Sequence, residues 1–151
     1  MRMPGWFAAI VLVCIVPGAA AQRTADFRAV AEPAAIMYDA PTLRGKKLFV
    51  APRGMPVEVV VSIEGWVKVR DRAGDMAWLE RKAVTERRTV VAIGVTRLLE
   101  RAEEGAKPVL EVVADVILDL EAAPPAPPGW VRVRHRDGAT GFVRASQVWG
   151  L

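Results

Sequence analysis

The chain alternates in short runs, and the clearest alternation occurs twice. Val67-Lys68-Val69-Arg70 places its valines on one face and its charges on the other, which predicts a half-buried strand. Val131-Arg132-Val133-Arg134 repeats the pattern 64 residues later, and Gly-Trp precedes each run, as Gly65-Trp66 and Gly129-Trp130. The register then holds. Arg72 meets Arg136, Gly74 meets Gly138, Trp78 meets Phe142, Leu79 meets Val143 and Val84 meets Val148. An internal repeat of this kind defines the structural unit.

Further strands are expected at 27–31, 35–38, 47–51, 57–63, 67–70 and 76–79 in the first copy, with a short helical turn over 80–84. In the second copy they are expected at 90–93, 108–113, 115–120, 130–134 and 141–143. Residues 98–104 have a locally helical composition, but the repeat puts them in an early loop, so they are read as loop or turn. Upstream of the Gly-Trp strand the copies align at a shorter offset of 57, with Val59 on Val116 and Ile63 on Leu120. The difference is a proline-rich insertion at 122–128, which lacks ladder donors and belongs outside any sheet. It reads as a tether that widens a turn, or as a polyproline II bait. Short strands with turns about every 8–12 residues predict an all-β sandwich or small barrel.

The N-terminus is of another kind. Arg2 precedes an apolar run of eleven residues at 6–16, then Pro17-Gly18 and a small-residue stretch ending at Ala21. This is the pattern of a secretory signal peptide over 1–21, with Gln22 the first mature residue. The run is short for a membrane span, which needs about 20 residues. An uncleaved anchor and a lipid on Cys14 are the competing readings. Cys14 is the single cysteine, so signal removal leaves no disulfide, thiolate nucleophile or cysteine metal site. The remaining chain, 20 basic residues against 17 acidic ones once Arg2 is gone, has its charges interspersed, which is not a nucleic-acid footprint.

The candidate chemistry is sparse. His135 is the only histidine and reads as a solvated turn residue. Ser62 and Ser146 are the only serines, and neither sits in a nucleophile elbow. No phosphate loop is found, and Glu103-Glu104 reads as solvated surface. No catalytic residue, metal site or cofactor is expected. Trp66 and Trp130 either line a groove or pack the rim of a barrel. Trp78 and Phe142 pose the same choice. Trp149 has no aromatic twin and is expected to seal the chain end. Lys68, Arg70, Arg132 and Arg134 form a solvated strand face or meet an acidic partner. Tyr38, beside Asp39 and Pro41, suits a loop that grips a peptide.

The Gly65-Trp66-Val67-Lys68-Val69-Arg70 run, its Gly-containing turn, then Ala77-Trp78-Leu79 and Ala83-Val84, resemble the bacterial SH3 (SH3b) domain. Met37-Tyr38-Asp39-Ala40-Pro41-Thr42 is similar to that family's early loop. Met55-Pro56-Val57-Glu58-Val59 is similar to its following strand. In the second copy Phe142 replaces the second Trp, and the Tyr-Asp-x-Pro loop is missing. The resemblance implies two tandem SH3-like barrels of five to six strands each, at 27–88 and 89–151, and a non-catalytic binding role outside the cytoplasm, periplasmic or at the cell wall. The implied partners are a peptidoglycan peptide or an envelope protein. The candidate ligand residues are Tyr38, Asp39, Trp66, Trp78 and Trp130. A structural adaptor docking into an envelope assembly is the alternative.

Overall fold

A computed structural model of the chain describes residues 24–151; the expected signal peptide, Cys14 included, lies outside them. The described residues form two seven-stranded antiparallel sheets. The first contains β1 (Asp26–Val30), β2 (Ala34–Tyr38), β3 (Lys47–Pro52), β4 (Pro56–Ile63), β5 (Trp66–Arg70), β6 (Met76–Glu80) and β7 (Val84–Thr85). The second contains β8 (Thr89–Ala92), β9 (Thr96–Leu99), β10 (Pro108–Val112), β11 (Ile117–Glu121), β12 (Trp130–Arg134), β13 (Thr140–Arg144) and β14 (Val148–Trp149). Their strand orders are β3-β2-β6-β5-β4-β1-β7 and β10-β9-β13-β12-β11-β8-β14. Every strand of the second sheet stands where its counterpart stands in the first, so the duplication extends through the half where the sequence alignment is loose.

The inward faces follow the alternation. Val67 and Val69 of β5 are buried and stand opposite Leu79 and Ala77 of β6. Val131 and Val133 of β12 stand opposite Val143 and Gly141 of β13. The first core adds Val30, Met37 and Val57; the second adds Val90, Leu98 and Leu118. A short 3-10 turn at Arg81–Ala83 leads into β7, and one at Ala145–Gln147 leads into β14. Gly65 and Gly129 have φ of +73° and +81°. A side chain there would be strained, so the residue before each tryptophan is glycine because the turn into β5 or β12 requires it.

Three expectations are corrected. Part of the stretch read as loop is strand β9. Arg97 points out to Glu111 on β10 at 2.8 Å while Leu98 is fully buried. That alternation is masked in the sequence by the helix-favouring run that follows it. Each sheet also has seven strands rather than five to six, because a two-residue closing strand joins each one and β9 is added to the second. In addition, β11 begins at Ile117, two residues later than read, because Asp115 takes a left-handed turn conformation, φ +68°. The proline-rich insertion lies between β11 and β12, outside the sheet.

The two barrels are joined closely. The Thr89 hydroxyl donates to the Gly54 carbonyl at 2.7 Å in a buried setting. Trp149 packs edge-on against Phe27 of the first barrel, with ring centroids 5.0 Å apart. The Arg88 guanidinium lies over the same Phe27 ring and donates to the Gly150 carbonyl at 3.1 Å. At Gly150 an added Cβ would stand 2.8 Å from the Thr89 carbonyl oxygen, so the chain end fits only as glycine. Thr89→Val keeps the shape and leaves the Gly54 carbonyl without its donor. The expected cost is about 1–3 kcal/mol, read as a lower urea midpoint with an unchanged slope.

Candidate functional site

Because Val67 and Val69 face inward, Trp66, Lys68 and Arg70 face out. On β6 the buried Ala77 and Leu79 likewise turn Trp78 and Glu80 outward. The register sets Trp66 opposite Glu80, Lys68 opposite Trp78 and Arg70 opposite Met76. Tyr38, the last residue of β2, pairs with Trp78 from the other side. Its ring meets that of Trp66 edge to face, at 5.6 Å and 85°, a favoured aromatic geometry. The Lys68 ammonium lies 5.9 Å from the Trp78 ring, within cation–π range. Tyr38 is buried, whereas Trp66 and Trp78 remain half-buried. The result is an aromatic cluster with a buried base and two partly open sides, flanked by one cation and one carboxylate.

Asp39 closes the adjoining loop. Its Oδ1 accepts the Lys46 amide N–H at 2.8 Å, and its own N–H donates to the Lys46 carbonyl at 3.1 Å. It therefore shapes residues 39–46 beside the cluster while its side chain stays exposed. Glu80 pairs with Lys82 at 3.1 Å, and that hydrogen bond holds the Lys82 ammonium above its ordinary pKa. Arg70 is fixed to Glu58 on β4 at 2.7 Å, so it is not a free cation on this face.

The second barrel has the same scaffold and a different surface. Phe142 takes the place of Trp78, and Leu99 takes the place of Tyr38, its partner across the sheet. Arg132 lies over Phe142 as Lys68 does over Trp78. The partner of Trp130 is Arg144, where Trp66 has Glu80. The Arg144 guanidinium stacks 4.2 Å above the Trp130 ring and is held by Glu104 of the 100–107 loop, Nε to Oε1 at 2.8 Å. Trp130 is left 8% exposed. Beside this cap a cavity of about 490 Å³ is lined by Arg97, Leu99, Pro108, Trp130 and Arg144.

Tyr38, Asp39, Trp66 and Trp78 thus come together on one barrel, and Trp130 stands apart on the other beneath Arg144. Arg144 was not singled out from the sequence, and Glu104, read as solvated surface, is exposed but pairs with it. The repeat register, which puts Arg144 on Glu80, carried the signal for Arg144. His135 also departs from expectation. It is not a solvated turn residue, since its side chain is only 17% exposed, with Nδ1 at 2.9 Å from Asp137 Oδ1 but without hydrogen-bond alignment. The Asp137 carboxyl is held below its ordinary pKa, first by the Ala139 N–H and then by the imidazole. Ser62 and Ser146 are exposed. Among the described residues no group of three or more His, Cys, Asp or Glu is arranged to hold a metal ion. Nor is any helix among them long and apolar enough to cross a membrane.

The sequence model of the bacterial SH3 domain matches the chain twice, at residues 31–86 and 98–150. Among solved structures the chain is similar to NlpC2 from Trichomonas vaginalis, with 13% identity and a TM-score of 0.38 over 83% of this chain and 48% of that one. It is similar to NlpC1 from the same organism, with 11% identity and a TM-score of 0.39 over 92% of this chain and 50% of that one. The chain therefore spans about half the length of these two structures, and at such TM-scores the likeness carries no functional argument. No curated protein matches the chain.

Arg144→Ala is expected to uncover Trp130. Its indole N–H should shift and exchange faster with solvent in NMR spectra, and stability should fall by about 0.5–2 kcal/mol. An unchanged Trp130 signal in the folded variant would show that the guanidinium is not the cap.

Proposed function

Because this chain belongs to the bacterial SH3 domain family, we propose that it is an exported, non-catalytic binding protein that grips a cell-wall peptide or an envelope protein through its first barrel. Bacterial SH3 domains are binding domains and generally bind peptidoglycan. The observation that carries the reading is the Tyr38–Trp66–Trp78 cluster between Lys68 and Glu80. Rigid aromatic rings supply contact area at low entropic cost. The adjacent ammonium and carboxylate suit a ligand with both charges, such as a peptide. Asp39 contributes by fixing the loop at the edge of the cluster. The second barrel plays another part, because Arg144 covers Trp130 at the equivalent place. Export rests on the N-terminal pattern over 1–21.

An adaptor role is the second reading, and the edge of the first sheet favours it. Among the described residues strand β3 has no partner on its outer side, and Phe49 and Val50 there are 48% and 65% exposed. An open edge with apolar side chains is a template for a partner chain.

Sedimentation with insoluble peptidoglycan sacculi separates the readings. Wild-type protein is expected to pellet, and Trp66→Ala to lose at least about tenfold in affinity, as for a central aromatic contact, with its thermal melt showing a folded protein. Lys68→Gln, which spares the packing, should weaken binding less. Wild type that stays in the supernatant at low and moderate salt would turn the assignment to the adaptor reading.

A further inference from the structure

The two barrels meet hairpin against turn. The hairpin between β5 and β6 carries Arg72, which reaches the turn between β10 and β11 and donates to Asp115 at 2.5 Å. Asp115 occupies the place that Gly54 holds in the first barrel. Both have positive φ, +68° and +82°, and their N–H groups donate to equivalent carbonyls, Ala92 and Val30, at 2.9 and 2.8 Å. The reverse approach also occurs. The hairpin between β12 and β13, with His135 and Arg136, and the turn at Arg53 and Gly54 line one cavity of about 490 Å³. Here the turn offers no carboxylate, because its residue is glycine. Its neighbour is a second arginine.

The contact that closes one side of the junction as an ion pair is thus left open on the other. Among the described residues neither Arg53 nor Arg136 forms an ion pair. The acids that line the cavity are already engaged, Asp115 by Arg72 and Asp119 by Arg87, each at 2.5 Å. Arg134 reaches Glu121 only at 3.7 Å. The lining carries an excess of positive charge with two uncommitted guanidinium forks, and Val116 and Ile117 give it an apolar wall.

We propose that this inter-barrel cleft binds a small carboxylate ligand, whose carboxylate lies between Arg53 and Arg136 as Asp115 does opposite Arg72. A planar guanidinium matches a carboxylate in two-point contact. A cleft with an excess of one charge concentrates the opposite one. A volume near 500 Å³ is that of a small-molecule site. The apolar wall selects a carboxylate on a short carbon or peptide body over a bare ion. The site is separate from the aromatic cluster and does not depend on its function.

The test is an NMR titration of the 15N-labelled protein with glutarate, with glutaramide as the neutral isostere and inorganic phosphate as the bare anion. Glutarate is expected to move the amides of Arg53, Gly54, Ile117 and Arg136 saturably, and the other two ligands to bind far more weakly. Arg53→Gln with Arg136→Gln should weaken glutarate at least about tenfold, the scale of one lost charged hydrogen bond. Both arginines are exposed, so the melt should hold. Arg44→Gln with Lys107→Gln, which removes as much charge outside the cavity lining, should leave the affinity unchanged. The proposal is overturned if glutarate gives no saturable shift at these amides, if both double variants behave alike, or if glutaramide or phosphate binds as tightly.

Discussion

Val69 and Val133 are fully buried and stand one strand away from the buried residues Leu79 and Val143. Alternate side chains of a strand point to opposite faces, so fixing these residues inward fixes the outward set. Trp66, Lys68, Trp78 and Glu80 occupy their places because their neighbours fill the core. A one-residue slip of β5 against β6 would expose the core and bury the charges, and it is excluded for that reason. The core and the candidate site are two faces of the same pair of strands.

This explains how the two copies share a framework and differ in surface. The inward positions must fill a volume, and Leu79 and Val143 both do so. The outward positions are constrained only by solubility and by what they touch. Glu80 in one copy and Arg144 in the other reverse the charge beside a tryptophan present in both copies without disturbing the ladder. Gly54 and Asp115 differ in the same way at a turn whose backbone conformation is retained. For Asp115 a left-handed backbone costs little, since a short polar side chain tolerates it, and the pairing with Arg72 offsets that cost. Each unit has about 60 residues, near the lower limit for an independent core. The contacts of Thr89, Trp149 and Arg72 across the junction therefore bear on the stability of both.

The parts of this arrangement set by local pattern were legible in the sequence. The Gly-Trp strands, their hairpins and the doubling follow from alternation and from glycine where φ is positive. Strand β9 was hidden because Leu98-Leu99-Glu100-Arg101 favours helix locally, and burial of Leu98 overrides that preference. The family resemblance pointed to the aromatic cluster through Tyr38, Trp66 and Trp78, but nothing in the sequence sets a 5.6 Å contact between residues 28 positions apart. The repeat register places Arg144 beside Trp130, but its anchoring by Glu104 was out of reach for the same reason. Arg144 is held by Glu104, 40 residues earlier, in the loop that corresponds to 39–46 of the first copy but differs from it in sequence. His135 was misread because it lines a cleft formed by residues of both barrels, which no local pattern shows.

The location of these differences bears on what the duplication accomplishes. Two copies with equal surfaces would offer one specificity twice and gain chiefly by avidity. Here the aromatic face is open beside Lys68 and Glu80 in the first barrel and closed by a cation in the second. The second barrel instead contributes Arg136 and Arg134 to a cleft that neither barrel forms alone. Such a cleft requires the two barrels to keep a fixed orientation, and a flexible linker would abolish it. The junction spans only residues 86–88 between β7 and β8 and is bridged by the buried Thr89–Gly54 hydrogen bond. That bond serves the fold and, through the fold, the relative placement of Arg53 and Arg136.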